Sequence, residues 1–288
     1  MPNPYTSLGL TACLLTSTNL IYAKDESVAE HFLAVAEETE EIEEISDFHD
    51  DYYEDDLDED GEESEWDIAI GLGYFVSQSP YVGAQQEAEW LPFFSLSWGP
   101  FFFDGDSLGS YLYGQDNWGI SASISAGVLN DSDRGGSDSL ADMTPLSEVV
   151  MADVSYEIEA DWGAIQVSIE TDVSHQHQGN QMSIAYAYPV YFEQWSLTPL
   201  AQVDWFDDKV AAYYYGVSAE DAKVTRTQYQ PGSGVNYVLG LNAEYDIDDY
   251  QTLSFTLMTE LYSDEIRQSS IVDQSHSKSA SAIYSYSF

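Results

Sequence analysis

The sequence predicts an all-β protein: a transmembrane, antiparallel, up-and-down β-barrel of about twelve strands. Three observations predict it. Residues 278–288 (KSASAIYSYSF) alternate, with Ala280, Ala282, Tyr284, Tyr286 and Phe288 on one face and Ser279, Ser281, Ile283, Ser285 and Ser287 on the other. A tilted, period-two segment of about ten residues is long enough to cross a bilayer core as a strand. Comparable segments recur from Trp66 onward, and the links between them alternate between short and generally longer. Barrels with tight turns at one end and larger loops at the other have this pattern. Aromatic residues are also abundant, with 22 Tyr, 12 Phe and 7 Trp, as expected where belts of rings mark both membrane interfaces.

Composition narrows the remaining choices. The 288 residues fit one large β domain or two small ones. Past the N-terminus no apolar run approaches the roughly 18 residues that a membrane-spanning helix needs. Lys plus Arg number 7 against 52 Asp plus Glu, a formal charge of −45. Such a chain repels phosphate, so no nucleic acid is expected as a partner. Cys13 is the one cysteine, so neither an intrachain disulfide nor a thiolate metal cluster can form, and no cofactor is expected.

Residues 1–23 read as a signal peptide: residues 7–23 are an apolar stretch closed by Ala23, and charge begins at Lys24. The leading MPNPYT has no Lys or Arg, which departs from the usual pattern. Leu10-Thr11-Ala12-Cys13 resembles a lipobox that would lipidate Cys13, yet apolar sequence continues beyond it. Residues 24–65 are acidic. Val28, Phe32, Val35, Ile42 and Ile45 have roughly helical spacing, but residues 47–65 are almost all Asp, Glu and Tyr. That composition cannot bury a core and predicts a disordered, solvated periplasmic segment. Its carboxylates suit partner docking or weak divalent binding, although no spaced ligand loop is present.

The barrel is expected over residues 66–288. Its strands are assigned to 66–76, 89–98, 101–104, 109–113, 118–127, 148–158, 164–173, 181–190, 196–205, 236–246, 251–262 and 278–288. Short links fall at 99–100, 115–117, 160–163, 193–195 and 247–250. The generally longer ones are 77–88, 105–108, 128–147, 174–180, 206–235 and 263–277. An even strand count puts both termini on one side, taken as the periplasm, with the loops at 131–139 and 219–232 outside.

One face of the strands would be wrong for a soluble core, because it carries Asp153, Glu157, Glu170, Asp172, Asp204, Glu244 and Glu260. In a barrel this face is the lumen. These carboxylates would either bond Ser, Thr and Tyr in a plugged interior or line a path for cations, since no assigned inward-facing strand Lys or Arg offsets them. Catalytic readings are weak. His175-Gln176-His177 lacks a third ligand nearby, and Asp248-Asp249 sits in a tight turn where Asp is ordinary. No G-x-S-x-G or phosphate-loop ending occurs, so an enzyme is not expected. Phe288 resembles the terminal aromatic that serves outer-membrane barrels as an assembly signal.

Residues 203–222 (VDWFDDKVAAYYYGVSAEDA) resemble the MipA/OmpV family, through Tyr214, Tyr215, Gly216, Val217, Ser218 and Ala222. Residues 71–83 (GLGYFVSQSPYVG) are similar to the family's glycine-rich start with its Y-x-G, and residues 269–272 (SSIV) stand where it tends to have S-P-I-V. The likeness covers about 66–288. It implies a Gram-negative outer-membrane barrel in contact with lipid. It also implies a scaffold for peptidoglycan enzymes, with a periplasmic murein hydrolase or synthase such as a lytic transglycosylase as partner. No family motif assigns partner-binding residues. The alternative reading is a cation-preferring channel for small solutes.

Overall fold

A computed structural model describes residues 66–105, 107–115, 117–126 and 134–288. The expected signal peptide, Cys13 and the acidic segment lie outside these residues. The described chain is a closed antiparallel barrel of twelve strands: β1 Trp66–Gln78, β2 Gln86–Trp98, β3 Phe101–Asp104, β4 Ser107–Gln115, β5 Trp118–Ala126, β6 Val150–Ala160, β7 Gly163–Asp172, β8 from Asn180–Ala187 to Val190–Phe192, β9 Trp195–Phe206, β10 Gly234–Asp248, β11 Gln251–Leu261 and β12 His276–Ser287. Each strand pairs with its sequence neighbours, and β12 pairs back onto β1 from Ala69↔Ser287 to Ser77↔Ser279, which closes the ring.

Three details depart from the sequence reading. β8 is interrupted at Tyr188-Pro189, because proline has no N–H for the ladder; Tyr188 N–H still donates to the Pro199 carbonyl, 3.1 Å. The link between β3 and β4, expected among the longer ones, is only Gly105 and Asp106. β3 reaches only the stretch Ser95–Trp98 of β2. Among the described strands the upper part of β2 therefore has no neighbour on that side, and Pro92 is tolerated there.

Alternation inverts the order of a soluble protein. Ile169, Ile184, Leu239 and Leu257 point out and stay exposed, while Ser155, Ser168, Thr198, Asn242 and Thr256 are buried inside. Lipid outside and a polar interior produce this arrangement. The interior polar groups bond one another across strands: Ser168 and Ser183 hydroxyls lie 2.6 Å apart, and Thr256 donates to Asn242 Oδ1 at 2.8 Å. A belt of rings follows the turn end, where the described chain begins and ends. Trp66 stacks on Trp98 with centroids 5.0 Å apart, and Trp118, Trp195 and Tyr250 make similar contacts with strand neighbours. Such amphipathic rings settle at the membrane interface.

The larger apolar core is at the other end, among the loops. It joins Tyr81 of the β1–β2 loop, Leu140, Met143 and Val149 of the β5–β6 loop, Val210, Tyr214, Tyr215 and Val217 of the β9–β10 loop, and Ile266, Ile271 and Val272 of the β11–β12 loop. Two helices supply part of it: α1, Asp208–Tyr215, and α2, Asp264–Arg267. Asp207 caps α1, its Oδ1 accepting Lys209 and Val210 N–H at 3.0 Å each, which satisfies orphan donors of the first turn. Asp208 follows the cap as the acidic residue of the first turn of α1.

Candidate functional site: the loop cap and the acidic cavity beneath it

The three segments that carried the family resemblance meet at one place in the cap. Tyr81 donates its hydroxyl to the Tyr214 carbonyl at 3.0 Å and stacks on Tyr215. Ser269 donates to the Tyr215 carbonyl at 2.6 Å, and Val82 N–H donates to the Ile271 carbonyl at 2.9 Å. Gly216 ends α1. A Cβ there would lie 2.2 Å from the Ala212 carbonyl oxygen, so only glycine lets the chain leave the helix along this path. Val217 then bridges to Tyr229. Ser218 Oγ donates to Asp221 Oδ2 at 2.8 Å, and Ala222 packs against the core. The motif residues therefore organise the cap.

Polar contacts tie the same loops together. Arg226 is buried and reaches Asp142 of the β5–β6 loop through both terminal nitrogens, at 3.2 and 2.8 Å. Lys223 also pairs with Asp142. Asp221 Oδ1 accepts Thr144 N–H at 2.9 Å, and Tyr213 exchanges hydrogen bonds with the Ser147 backbone. Glu265 of α2 accepts Gly232 N–H at 2.8 Å. Sequence reasoning did not identify these cross-loop partners.

Under the cap, inside the barrel, is a cavity of about 170 Å³. Its walls include Glu170, Asp204 and Glu260, on β7, β9 and β11. Asp204 Oδ1 accepts from the Gln202 amide and Glu260 Oε1 from the Asn236 amide, both at 2.7 Å. Asp153 lies across the ladder from Glu170 and accepts from Ser155. Glu157 is buried opposite Gly119 and Gln166, and Glu244 faces the hydroxyls of Ser196 and Ser254.

Asp172 has a different task. At the loop end of β7 it accepts His177 and Gln178 N–H at 2.7 Å each and the Ser174 hydroxyl at 2.6 Å, fixing the β7–β8 loop. His177 is a packed residue of this loop. Its Nδ1 accepts Gly179 N–H at 2.9 Å, its Nε2 is buried without a partner, and its ring lies against Tyr213 and Tyr214. His175 is exposed, so the two histidines do not form a ligand pair. Phe288 N–H donates to the Ile68 carbonyl at 2.9 Å, and its exposed ring meets Tyr286 at the barrel seam.

Burial lowers the His177 pKa below its ordinary 6.5, against the opposing pull of Asp172 and Asp207 and with a smaller push from Lys209. The sign follows from linkage. The unfolded chain binds the proton more readily, so the stabilisation from neutral His177 is complete above about pH 6.5 and is lost as pH falls below it. Hydrogen exchange, corrected for intrinsic rates, should show Gly179 and α1 amides losing protection on acidification from pH 7.5 to 5. The dependence should flatten in His177→Gln; an unchanged slope in that variant would assign the effect elsewhere.

The family model described as MltA-interacting protein MipA matches residues 70–288. The MltA-interacting protein of Escherichia coli K12 is 26% identical over 229 residues, covering 78% of this chain and 92% of that protein. The putative outer membrane protein YiaT of the same organism is 23% identical, covering 73% and 87%. Among solved structures, an outer membrane channel from Pseudomonas putida F1 aligns over 81% of this chain and 99% of its own, with 10% identity and a TM-score of 0.40. The match extends from the first strand to the end of the sequence and includes all three cap segments, so this outer-membrane β-barrel belongs to the family of MltA-interacting protein MipA.

Proposed function

We propose that this barrel is a non-enzymatic scaffold that recruits a peptidoglycan-remodelling enzyme, such as a lytic transglycosylase, to the inner face of the outer membrane. The observation that carries this reading is the cap. Four loops share one apolar core and cross-loop hydrogen bonds, a construction suited to a closed body held in the membrane. The similarity to the MltA-interacting protein of Escherichia coli K12 supports the same reading. In this reading the capped end faces outward, while the short turns and both described termini face the periplasm. Charge supports that orientation. Arg134, Lys209, Lys223, Arg226 and Arg267 lie in loops at the capped end and Lys278 near the top of β12, whereas the turns carry Asp161, Glu193, Asp248 and Asp249 without a basic residue. Phe288, at the seam, is proposed to serve in assembly.

The test is site-specific photo-crosslinking in cells, with the reactive group at Trp162 in a short turn or at Val224 in the cap; both positions are exposed. A murein hydrolase or synthase should be captured from position 162 and not from 224. Capture from 224, or from neither position, would remove support for the scaffold and its orientation. A second reading, the cation-preferring channel, is favoured by the carboxylates along the interior. It requires conductance in planar bilayers with a cation-selective reversal potential, and an anion-selective one would count against it.

A further inference from the structure

We propose that the turn end of β8 is a docking edge for an extended, basic segment of a periplasmic protein, which adds to the barrel wall as a short strand. The site deepens the scaffold reading and rests on it for the side of the membrane that the edge faces. It arises from a step in the wall. β7 begins at Gly163, and its ladder with β8 ends at the pair Ala164↔Ala187. Beyond Ala187 the chain continues through Val190–Phe192, and there it pairs with β9 alone among the described strands. Tyr188 N–H donates to the Pro199 carbonyl of β9, and the pairs Val190↔Leu197 and Phe192↔Trp195 continue that register. Main-chain groups of an antiparallel strand turn to opposite sides at successive residues. Tyr188, Val190 and Phe192 therefore bond toward β9, while Pro189 and Tyr191 turn away from it. The free side presents the Tyr191 N–H and the carbonyls of Pro189 and Tyr191. Exposed edges of this kind accept an added strand. Pro189 and the turn at Glu193, with its φ of +55°, confine that strand to the stretch Tyr188–Phe192.

Side chains on the two faces of the edge select the partner. On the outer face Tyr188, Val190 and Phe192 are exposed, near the stacked rings of Trp162 and Tyr186. They offer apolar surface to every second residue of an added strand. Tyr191 shares the inward parity of buried Ala187. It is 72% exposed, and its hydroxyl lies within electrostatic reach of Glu159 and Glu244. Asp161 and Glu193 flank the edge in exposed turns, and the turns at this end hold no basic residue. A strand with lysines on one face and apolar side chains on the other complements both surfaces. The rings also place the edge at the membrane interface, where water solvates the backbone until a strand replaces it.

The test uses the full chain in detergent and fluorescence anisotropy with a labelled peptide, Lys-Val-Lys-Val-Lys. Two isomers of it carry N-methyl groups on alternate amides, one isomer for each edge of the peptide, at unchanged charge. Saturable binding of the parent peptide is expected, with a Kd below about 1 mM. One isomer should bind at least tenfold more weakly and the other less than threefold so, because only one edge of the peptide meets β8. Tyr191→Pro removes the free N–H at unchanged charge and should weaken binding at least fivefold, whereas Tyr191→Phe should change it less than twofold. Equal affinities of the two isomers would show charge attraction without strand pairing and overturn the proposal. An unaltered affinity in a folded Tyr191→Pro protein, or a Kd above about 1 mM for the parent peptide, would do the same. The isomers are compared on the unaltered protein, so a variant that fails to fold leaves the proposal falsifiable. Photo-crosslinking in cells separates the two readings. Capture of a murein enzyme from position 162 without peptide binding overturns the edge and keeps the scaffold. Peptide binding without capture supports the edge and removes the scaffold.

Discussion

Replacing Gly71 with valine is expected to prevent the barrel from closing. Gly71 lies on β1 opposite Ser285 of β12, in the seam that joins the two ends of the barrel. A Cβ at this position would sit 2.1 Å from the Tyr284 carbonyl oxygen and 3.1 Å from the Ser285 Cα. Both are backbone atoms held by the ladder, so neither can move without breaking the pairing that closes the ring. The constraint is steric. Alanine should already strain the seam, and valine adds two methyl groups in the same direction. The loss should exceed about 4 kcal/mol, the range reserved for severe packing faults. By contrast, Gly99 has a φ of +52° with open space around it. Gly99→Ala should cost only about 1–2 kcal/mol, through left-handed backbone strain. Circular dichroism and thermal unfolding in detergent distinguish the two. A Gly71→Val protein with unaltered strand content and midpoint would disprove the steric argument.

The strands were legible in the sequence because a barrel in lipid exaggerates period-two alternation. Leu239, Leu241, Phe255 and Leu257 on one face, against Asn242, Glu244, Ser254 and Thr256 on the other, can hardly be read otherwise. Height along the barrel was less legible than facing. Alternation put Asp172 on the same face as Glu170, but it does not say that two further residues take the side chain out of the cavity and into a loop. The cap was illegible as a unit. Tyr81 and Tyr214 are 133 residues apart, and loops have no periodicity that would pair them. One local signal was available: Asp207 followed by Val210, Ala211, Tyr214 and Tyr215 is an N-cap with an apolar helical face. The family segments lie far apart in the sequence, and the fold bonds them to one another. A strand assigned over 181–190 passes over Pro189, which lacks the N–H for the ladder and interrupts β8 before pairing resumes one residue later.

Arg226→Met is expected to loosen the cap while leaving the barrel intact. The guanidinium serves three places at once: Nε donates to the Asp221 carbonyl at 2.8 Å, one terminal nitrogen reaches the Ser139 carbonyl at 3.4 Å, and both reach Asp142. Its side chain is 6% exposed and that of Asp142 is 46% exposed, so solvent screens the ion pair and the pair alone contributes modestly. The larger loss is geometric. Methionine fills much of the volume but leaves the two carbonyls without this donor and separates the β5–β6 loop from the β9–β10 loop. A local loss of about 2–3 kcal/mol follows from forfeiting charge-assisted bonds at a buried site. Lysine should not rescue it, because one ammonium cannot reproduce the planar fork. The effect should also be separable by pH from that of His177. Hydrogen bonds and charge from Arg226 and Lys223 hold the Asp142 carboxyl well below the usual carboxylate range. Its contribution is therefore complete above about pH 4 and is lost only as pH falls through that depressed value, far below the region where His177 protonates. Hydrogen exchange should show reduced protection across residues 134–149 and 216–229 in Arg226→Met at pH 7.5, with strand amides and the thermal midpoint of the barrel unchanged. Protection equal to that of the parent would mean that the apolar core holds the cap without this arginine.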